Sequence, residues 1–215
     1  MHLSVTLVLI VVTTIISFIG FYNDRLFEAF IFYPPAITDD KQYYRFFTCG
    51  FIHANFMHFL FNMYALNTFG DYVESEFADV FGKYGAFLYG LMYISSLYFC
   101  LLPTYAKHKH NAQYSSLGAS GAVSAVVFCF IFLEPVRKLG IIFLPFMLPG
   151  FLFGFLYLVI SSLLDRSQVG RINHSAHIWG SLYGISFLVV FGSFLSRYNL
   201  FNSFIRQVEG YISSF

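Results

Sequence analysis

The chain has 215 residues and a formal net charge of +1; 58% of its residues are hydrophobic, 22% aromatic and only 11% charged. A soluble chain carries about a quarter charged residues, so this composition excludes an ordinary soluble domain and points to an integral membrane protein. The near-neutral balance offers no electrostatic basis for nucleic-acid binding, and three scattered cysteines (Cys49, Cys100, Cys129) without C-x-x-C spacing argue against a disulfide framework or a zinc–thiolate centre.

Six stretches free of Asp, Glu, Lys and Arg come near the roughly 20 residues a bilayer core demands: about 3–22, 51–69, 84–106, 115–133, 139–164 and 175–196. The expected fold is all-α: a polytopic membrane protein, one six-transmembrane-helix bundle forming a single domain over 1–215. The first stretch lacks a basic leading region and a cleavage site, so it reads as a retained helix. The connection 23–50 is too aromatic for a solvated loop. Phe27, Phe30, Phe32 and Tyr33 precede Pro34-Pro35, and Tyr43-Tyr44-Arg45-Phe46-Phe47 follow. Such density beside a basic residue suits the headgroup layer, which predicts an interfacial first loop folded against the bundle.

The second stretch carries His53, His58 and Asn62. Polar groups are costly in hydrocarbon and usually face a bundle interior. His58 and Asn62 are four apart and share a helical face, as interhelical hydrogen-bonding groups or as functional ones. His53, five residues before His58, diverges from it by about 140° around the helix. Asp71, Glu74, Glu76 and Asp79 mark the exit from the membrane. The third stretch ends near Pro103, and the link 105–114, with Lys107, His108, Lys109 and His110, reads as a solvated turn.

The fourth stretch opens Gly118-Ala119-Ser120-Gly121. Small residues let helices approach closely, so the Ser120 hydroxyl is either helix–helix glue or a nucleophile. Pro145, Pro149, Gly150 and Gly154 predict a kinked or loosely held fifth helix. The sixth begins with His174 and His177, and its Gly180-x-x-x-Gly184 face invites packing on the glycines of the fourth.

If all six helices span, the second, fourth and sixth enter from the same side. His58, Ser120 and His177 each follow that entry by a few residues, which at 1.5 Å per residue puts them roughly 5–10 Å below one membrane face. A serine needs a base to act as a nucleophile, and histidine suits neutral pH. His177 is the better placed. Asn62, His58 and the Ser120 backbone N–H are available as donors to an oxyanion. With no membrane-buried carboxylate, a Ser–His dyad fits better than a triad, and no cofactor or metal is called for. The rival from another class is a metalloenzyme using His53, His58, His174 and His177; a transporter with a broken fifth helix lacks the inverted repeat that would support it.

Gly118-Ala119-Ser120-Gly121, with His53-x4-His58-x3-Asn62 upstream and Ala176-His177-x2-Gly180-x3-Gly184 downstream, resembles the rhomboid intramembrane serine proteases. The resemblance implies Ser120 as nucleophile, His177 as general base, His58 and Asn62 at the oxyanion, and His53, Gly118, Ala119, Gly180 and Gly184 in support. Its partners would be single-span transmembrane substrates and the lipid bilayer; the alternative is an inactive rhomboid-like protein that binds membrane clients. The family's Trp-Arg pair appears as Tyr44-Arg45, and Glu74 occupies the place of a structural glutamate. One departure stands out: the aromatic expected one turn after the nucleophile, stacking on the histidine, is Ser124. The stretch Ser116–Ala122, with Ile141–Pro145 beyond it, looks closest to the presenilin-associated branch and similar bacterial rhomboids, which favours a bacterial plasma (inner) membrane.

Overall fold

The computed structural model describes residues 4–140, 146–167 and 172–214. Its first helix, α1 (Val5–Tyr22), turns Thr6, Leu9, Thr13, Ser17 and Gly20 inward and leaves Leu7, Val11, Ile15, Phe18 and Ile19 exposed. A water-soluble helix does the reverse. Small residues inside and large apolar ones outside are what close helix packing in lipid requires. Glu74, from a later helix, secures the start of α1: its carboxylate accepts the Val5 and Thr6 N–H groups at 2.7 and 2.9 Å and the Ser4 hydroxyl at 2.8 Å. These are donors that a helix N-terminus otherwise leaves unpaired.

The 23–50 connection folds as three short helices, α2 (Asp24–Phe30), α3 (Pro34–Asp39) and α4 (Arg45–Thr48). Phe32, Ile37 and Phe46 are buried in one cluster with Cys49, Cys100 and Leu101. Phe32 and Ser116 exchange backbone hydrogen bonds of 2.9 and 3.0 Å, tying this connection to the segment before Ser120. Arg45 is buried: Nη1 donates to the Glu28 and Ile31 carbonyls at 2.8 and 2.7 Å, and Nε to Gln42 Oε1 at 2.6 Å. Arg45 thus staples the connection to itself.

Two long helices follow, α5 (Phe56–Phe81) and α6 (Gly85–Phe99), and then the short α7 (Leu102–His108). The third stretch is therefore broken near Leu101, because Pro103 is tolerated in the first turn of a new helix and not within an old one. The link expected as a solvated turn is partly this helix. Tyr105 Oη lies 3.0 Å from Thr38 Oγ1, and the His108 and Tyr114 rings stack with centroids 3.8 Å apart. At the centre stands α8 (Ser120–Leu133), buried along almost its whole length, as a helix apolar on every side must be. The antiparallel pair β1 (Lys138–Leu139) and β2 (Leu148–Pro149) precedes α9 (Gly150–Ser167). The fifth helix thus begins at Gly150, not near 139. Pro149 and Gly150 mark its entrance instead of kinking its middle, the position where a missing N–H costs least. Pro145 with the rest of 141–145, and 168–171 of the last link, lie outside the described residues. The chain continues with α10 (His174–Leu195) and α11 (Leu200–Ile212), the last unforeseen in the sequence.

The architecture is thus predominantly helical, but among the described residues six separately qualifying spans are not found. Among the described residues three stretches are long and apolar enough to cross a membrane, Val5–Tyr22, Phe56–His108 (which contains α5 to α7) and His174–Leu195; Ser120–Leu133 is apolar but shorter. Helices α5 to α7 count as one continuous stretch, and α8, with 14 residues, is short for a crossing.

Helices α8 and α10 nearly touch backbones. A Cβ on Gly180 would run into the Gly121 carbonyl oxygen and one on Gly184 into that of Ala125. The second partner is an alanine and not the glycine expected. Gly180→Val should lower the stability of the detergent-solubilised protein by at least about 1–3 kcal/mol, the usual cost of overpacking, read as a drop in Tm. An unchanged Tm would contradict this packing.

Candidate functional site

The N-terminal ends of α5, α8 and α10 converge on one cavity of ≈ 1010 Å³ lined by His58, Asn62, Ser120 and His177. Each end is fixed locally. Asn55 caps α5 by accepting the His58 N–H at 2.9 Å, and Asn173 caps α10 by accepting the Ala176 N–H at 3.0 Å. Asn173 also accepts the Thr104 hydroxyl at 3.1 Å and donates to Ser116 Oγ at 3.4 Å, so one side chain binds α7, α10 and the segment before α8 together. Ser120 is the first residue of α8, so its backbone N–H has no carbonyl one turn back to bind.

His177 Nε2 lies 2.7 Å from Ser120 Oγ. The histidine comes from the fourth residue of α10 and the serine from the first of α8, at the level where Gly180 and Gly121 bring those helices together. Gly118 explains the approach of His58. Its φ is +113°, a conformation glycine tolerates, and a Cβ there would lie 2.6 Å from His58 Cε1. Asn62 is buried in the same cavity with its amide donating to the His58 carbonyl at 2.8 Å, which leaves its second N–H to spend.

His53 corrects an expectation. Asn55 is the cap of α5, so His53 precedes the helix and the 140° divergence does not apply; the His53 and His58 rings meet edge to face at 5.0 Å. The Ser17 hydroxyl donates to the Phe51 carbonyl at 2.8 Å, so at 2.8 Å from His53 it accepts the Nδ1–H. His53 Nε2 then carries the lone pair and accepts the Ala119 N–H at 3.5 Å. The Cys49 carbonyl accepts the Gly118 N–H at 2.8 Å. His53 and Cys49 thus hold the backbone on which Ser120 sits. With both ring nitrogens engaged, His53 has no lone pair for the four-histidine metal centre considered as a rival.

The aromatic absent at Ser124 is supplied by Tyr157 of α9. Its ring stacks on His177 at 6.4 Å and 21°, and its hydroxyl lies 3.2 Å from Ser124 Oγ. Sequence reading missed it, although a signal exists: Tyr157 is the only tyrosine between residues 139 and 164, and a buried tyrosine hydroxyl seeks a partner. Tyr157→Ala should reduce turnover about tenfold, the equivalent of the ~1.4 kcal/mol that an aromatic pair can contribute, while Tyr157→Phe, which keeps the ring, should stay near wild type. An alanine variant with unchanged kcat would remove this positioning role.

The Rhomboid domain family model matches residues 40–194, a span holding the buried Arg45, all of the cavity-lining polar residues named above and the Gly180–Gly184 face. The chain belongs to the rhomboid family. It is 28% identical over 206 residues to Rhomboid-like protein 15 of Arabidopsis thaliana, an alignment covering 89% of this chain and 47% of that protein. The chain thus spans about half the length of this relative. The Arg45 guanidinium lies 5.6 Å from the Tyr44 ring, and Glu74 binds the start of α1. The structure brings Ser120, His177, His58 and Asn62 together in the cavity, with His53, Gly118 and Ala119 beside it, while Gly180 and Gly184 pack α10 on Gly121 and Ala125 of α8.

Proposed function

We propose that this rhomboid protein is an intramembrane serine endopeptidase that cleaves single-span transmembrane proteins with a Ser120–His177 dyad. The observation that carries the reading is the 2.7 Å contact between His177 Nε2 and Ser120 Oγ. His177 Nε2 takes the hydroxyl proton as Ser120 Oγ attacks the scissile carbonyl carbon. The resulting oxyanion is met by donors from His58, the free N–H of Asn62 and the Ser120 backbone N–H. Each such donor is worth about 2.7–4 kcal/mol where it has been removed from other serine enzymes. As the C–N bond breaks, His177 returns its proton to the leaving amine, leaving an acyl–Ser120 ester. Water, deprotonated by His177, attacks that ester, and His177 returns the proton to Ser120 Oγ as the C–O bond breaks and the acid leaves. In this reading α1, α5, α6, α8, α9 and α10 are six membrane passes. The bacterial plasma membrane expected from the resemblance has no support from the comparison, since the relative is a plant protein; membership in a membrane family is what remains supported.

The cavity lining has two characters. Near the helix starts it offers Asn55, Ser116 and Asn173, and deeper it offers Phe61, Phe69, Phe128 and Phe153. This suits an apolar segment unwound at its end. The test is cleavage of a single-span reporter by the protein reconstituted in liposomes. Cleavage blocked by an isocoumarin and indifferent to a chelator is expected. Reporter binding without cleavage would establish the client-binding alternative, and chelator sensitivity the metalloenzyme.

Phe61 of α5 and Phe153 of α9 line opposite helices of the same cavity. We expect substrate helices to enter between them, so linking cysteines at these two positions should block the transmembrane reporter and spare acylation by a small soluble probe. Undiminished reporter cleavage would exclude this entry.

A further inference from the structure

Helix α11 has three faces where a surface helix of a soluble protein has two. At 100° per residue, Leu200, Phe204, Gln207 and Tyr211 form one arc, and this arc packs on the bundle. Phe204 stacks on Phe132 at 4.9 Å, Tyr211 meets Phe151 edge to face at 6.1 Å, and Gln207 Nε2 donates to the Leu133 carbonyl at 3.2 Å. The next arc holds Phe201, Ile205, Val208 and Ile212, with Phe201 54% and Ile212 61% exposed. The remaining arc is polar and exposed: Asn202, Ser203, Arg206 and Glu209.

The bundle contact accounts for the first arc and water for the third, but among the described residues the second is left largely exposed. Its position indicates what does. Leu133 ends α8, whose first residue is Ser120, so α11 sits about 20 Å along that helix from the candidate site, at the opposite end of the bundle. Val190, Phe194 and Leu195, at the end of α10, are exposed just before α11 begins. The bare arc of α11 therefore continues the apolar belt of the bundle. The link between the two helices carries Arg197 and the exposed Tyr198, residue types that favour the headgroup level.

We propose that α11 lies in the lipid–water interface of the leaflet opposite the candidate site, its Phe201–Ile205–Val208–Ile212 arc buried among acyl chains and its polar arc in water. The arc is apolar, and the charges beside it, Arg206 and Glu209, cancel. Attachment is therefore hydrophobic and independent of anionic lipid. It anchors the closed ends of α8 and α10, the two helices that carry Ser120 and His177, and it does not depend on the serine chemistry.

The experiment uses the full chain reconstituted in vesicles of phosphatidylcholine, alone or with an equal part of phosphatidylglycerol. Single cysteines are introduced by Phe201→Cys, Ile205→Cys and Ile212→Cys, and on the other arc by Asn202→Cys, Arg206→Cys and Glu209→Cys. Each is labelled with a nitroxide; Cys49, Cys100 and Cys129 are buried and provide the background control. All six sites have exposed side chains, so the labels test environment and not folding. The expected result is oxygen access severalfold higher than nickel-chelate access on the apolar arc and the reverse on the polar arc, equally in both vesicles. Water access at all six sites would overturn the proposal. So would apolar-arc labels shielded from both reagents and broadened by spin–spin coupling, which would assign the arc to a second copy of the chain. Lipid burial only in the phosphatidylglycerol vesicles would overturn hydrophobic attachment.

Discussion

Ser120→Ala should abolish cleavage of a transmembrane reporter, lowering turnover by a factor on the order of 10⁶, as loss of the nucleophile does in other serine proteases. The substitution removes one oxygen from the first residue of α8, a position where alanine fits the helix well. Stability should change by about 1 kcal/mol or less, the net worth of a single hydrogen bond. Reporter binding and Tm should therefore survive while chemistry disappears. Activity near wild type would mean that Ser120 is glue between α8 and α10 and that the serine mechanism is wrong.

His177→Ala should be equally severe for turnover, and it should also silence the serine toward slow covalent probes. Without Nε2 at 2.7 Å the Ser120 hydroxyl keeps its proton, and a neutral alcohol is a weak nucleophile. The substitution also removes the ring on which Tyr157 stacks, so α9 should loosen. The oxyanion donors should behave differently. Asn62→Ala leaves His58 and the Ser120 N–H in place, and the loss should stay within a factor of about 10²–10³. If Asn62→Ala and His58→Ala are both silent while His177→Ala is dead, the oxyanion assignment fails and the base assignment stands.

The small-residue faces were legible in the sequence because each is written in neighbouring residues. Gly118-Ala119-Ser120-Gly121 and Gly180-x-x-x-Gly184 carry their own geometry, and the expected meeting of Ser120 with His177 needed only that the helices run alternately. The fifth helix was misread because an apolar run does not distinguish helix from extended chain; Pro149 and Gly150 end the extended pair and open α9. The position of His53 was misjudged for a similar reason. Asn55 is a cap, so the helix starts at Phe56, five residues after the apolar stretch begins at 51. Tyr157 stood out in the sequence as the one tyrosine of its apolar run, but its partner did not. Its contact with Ser124 joins residues 33 apart, and only the packing of α9 across α8 brings the ring over His177. Helix α11 escaped notice because 13 residues are too few for a span, although its three-residue and four-residue apolar spacing is visible on inspection.

The central claim, that His177 activates Ser120 as a nucleophile, is tested most directly by incubating the detergent-solubilised protein with a fluorophosphonate and mapping the modified peptide by mass spectrometry. The account predicts one adduct, on Ser120, absent from Ser120→Ala and His177→Ala and formed at near the normal rate in Asn202→Ala, a control on the polar arc of α11. Labelling of a different serine, or labelling of Ser120 undiminished in His177→Ala, would contradict it.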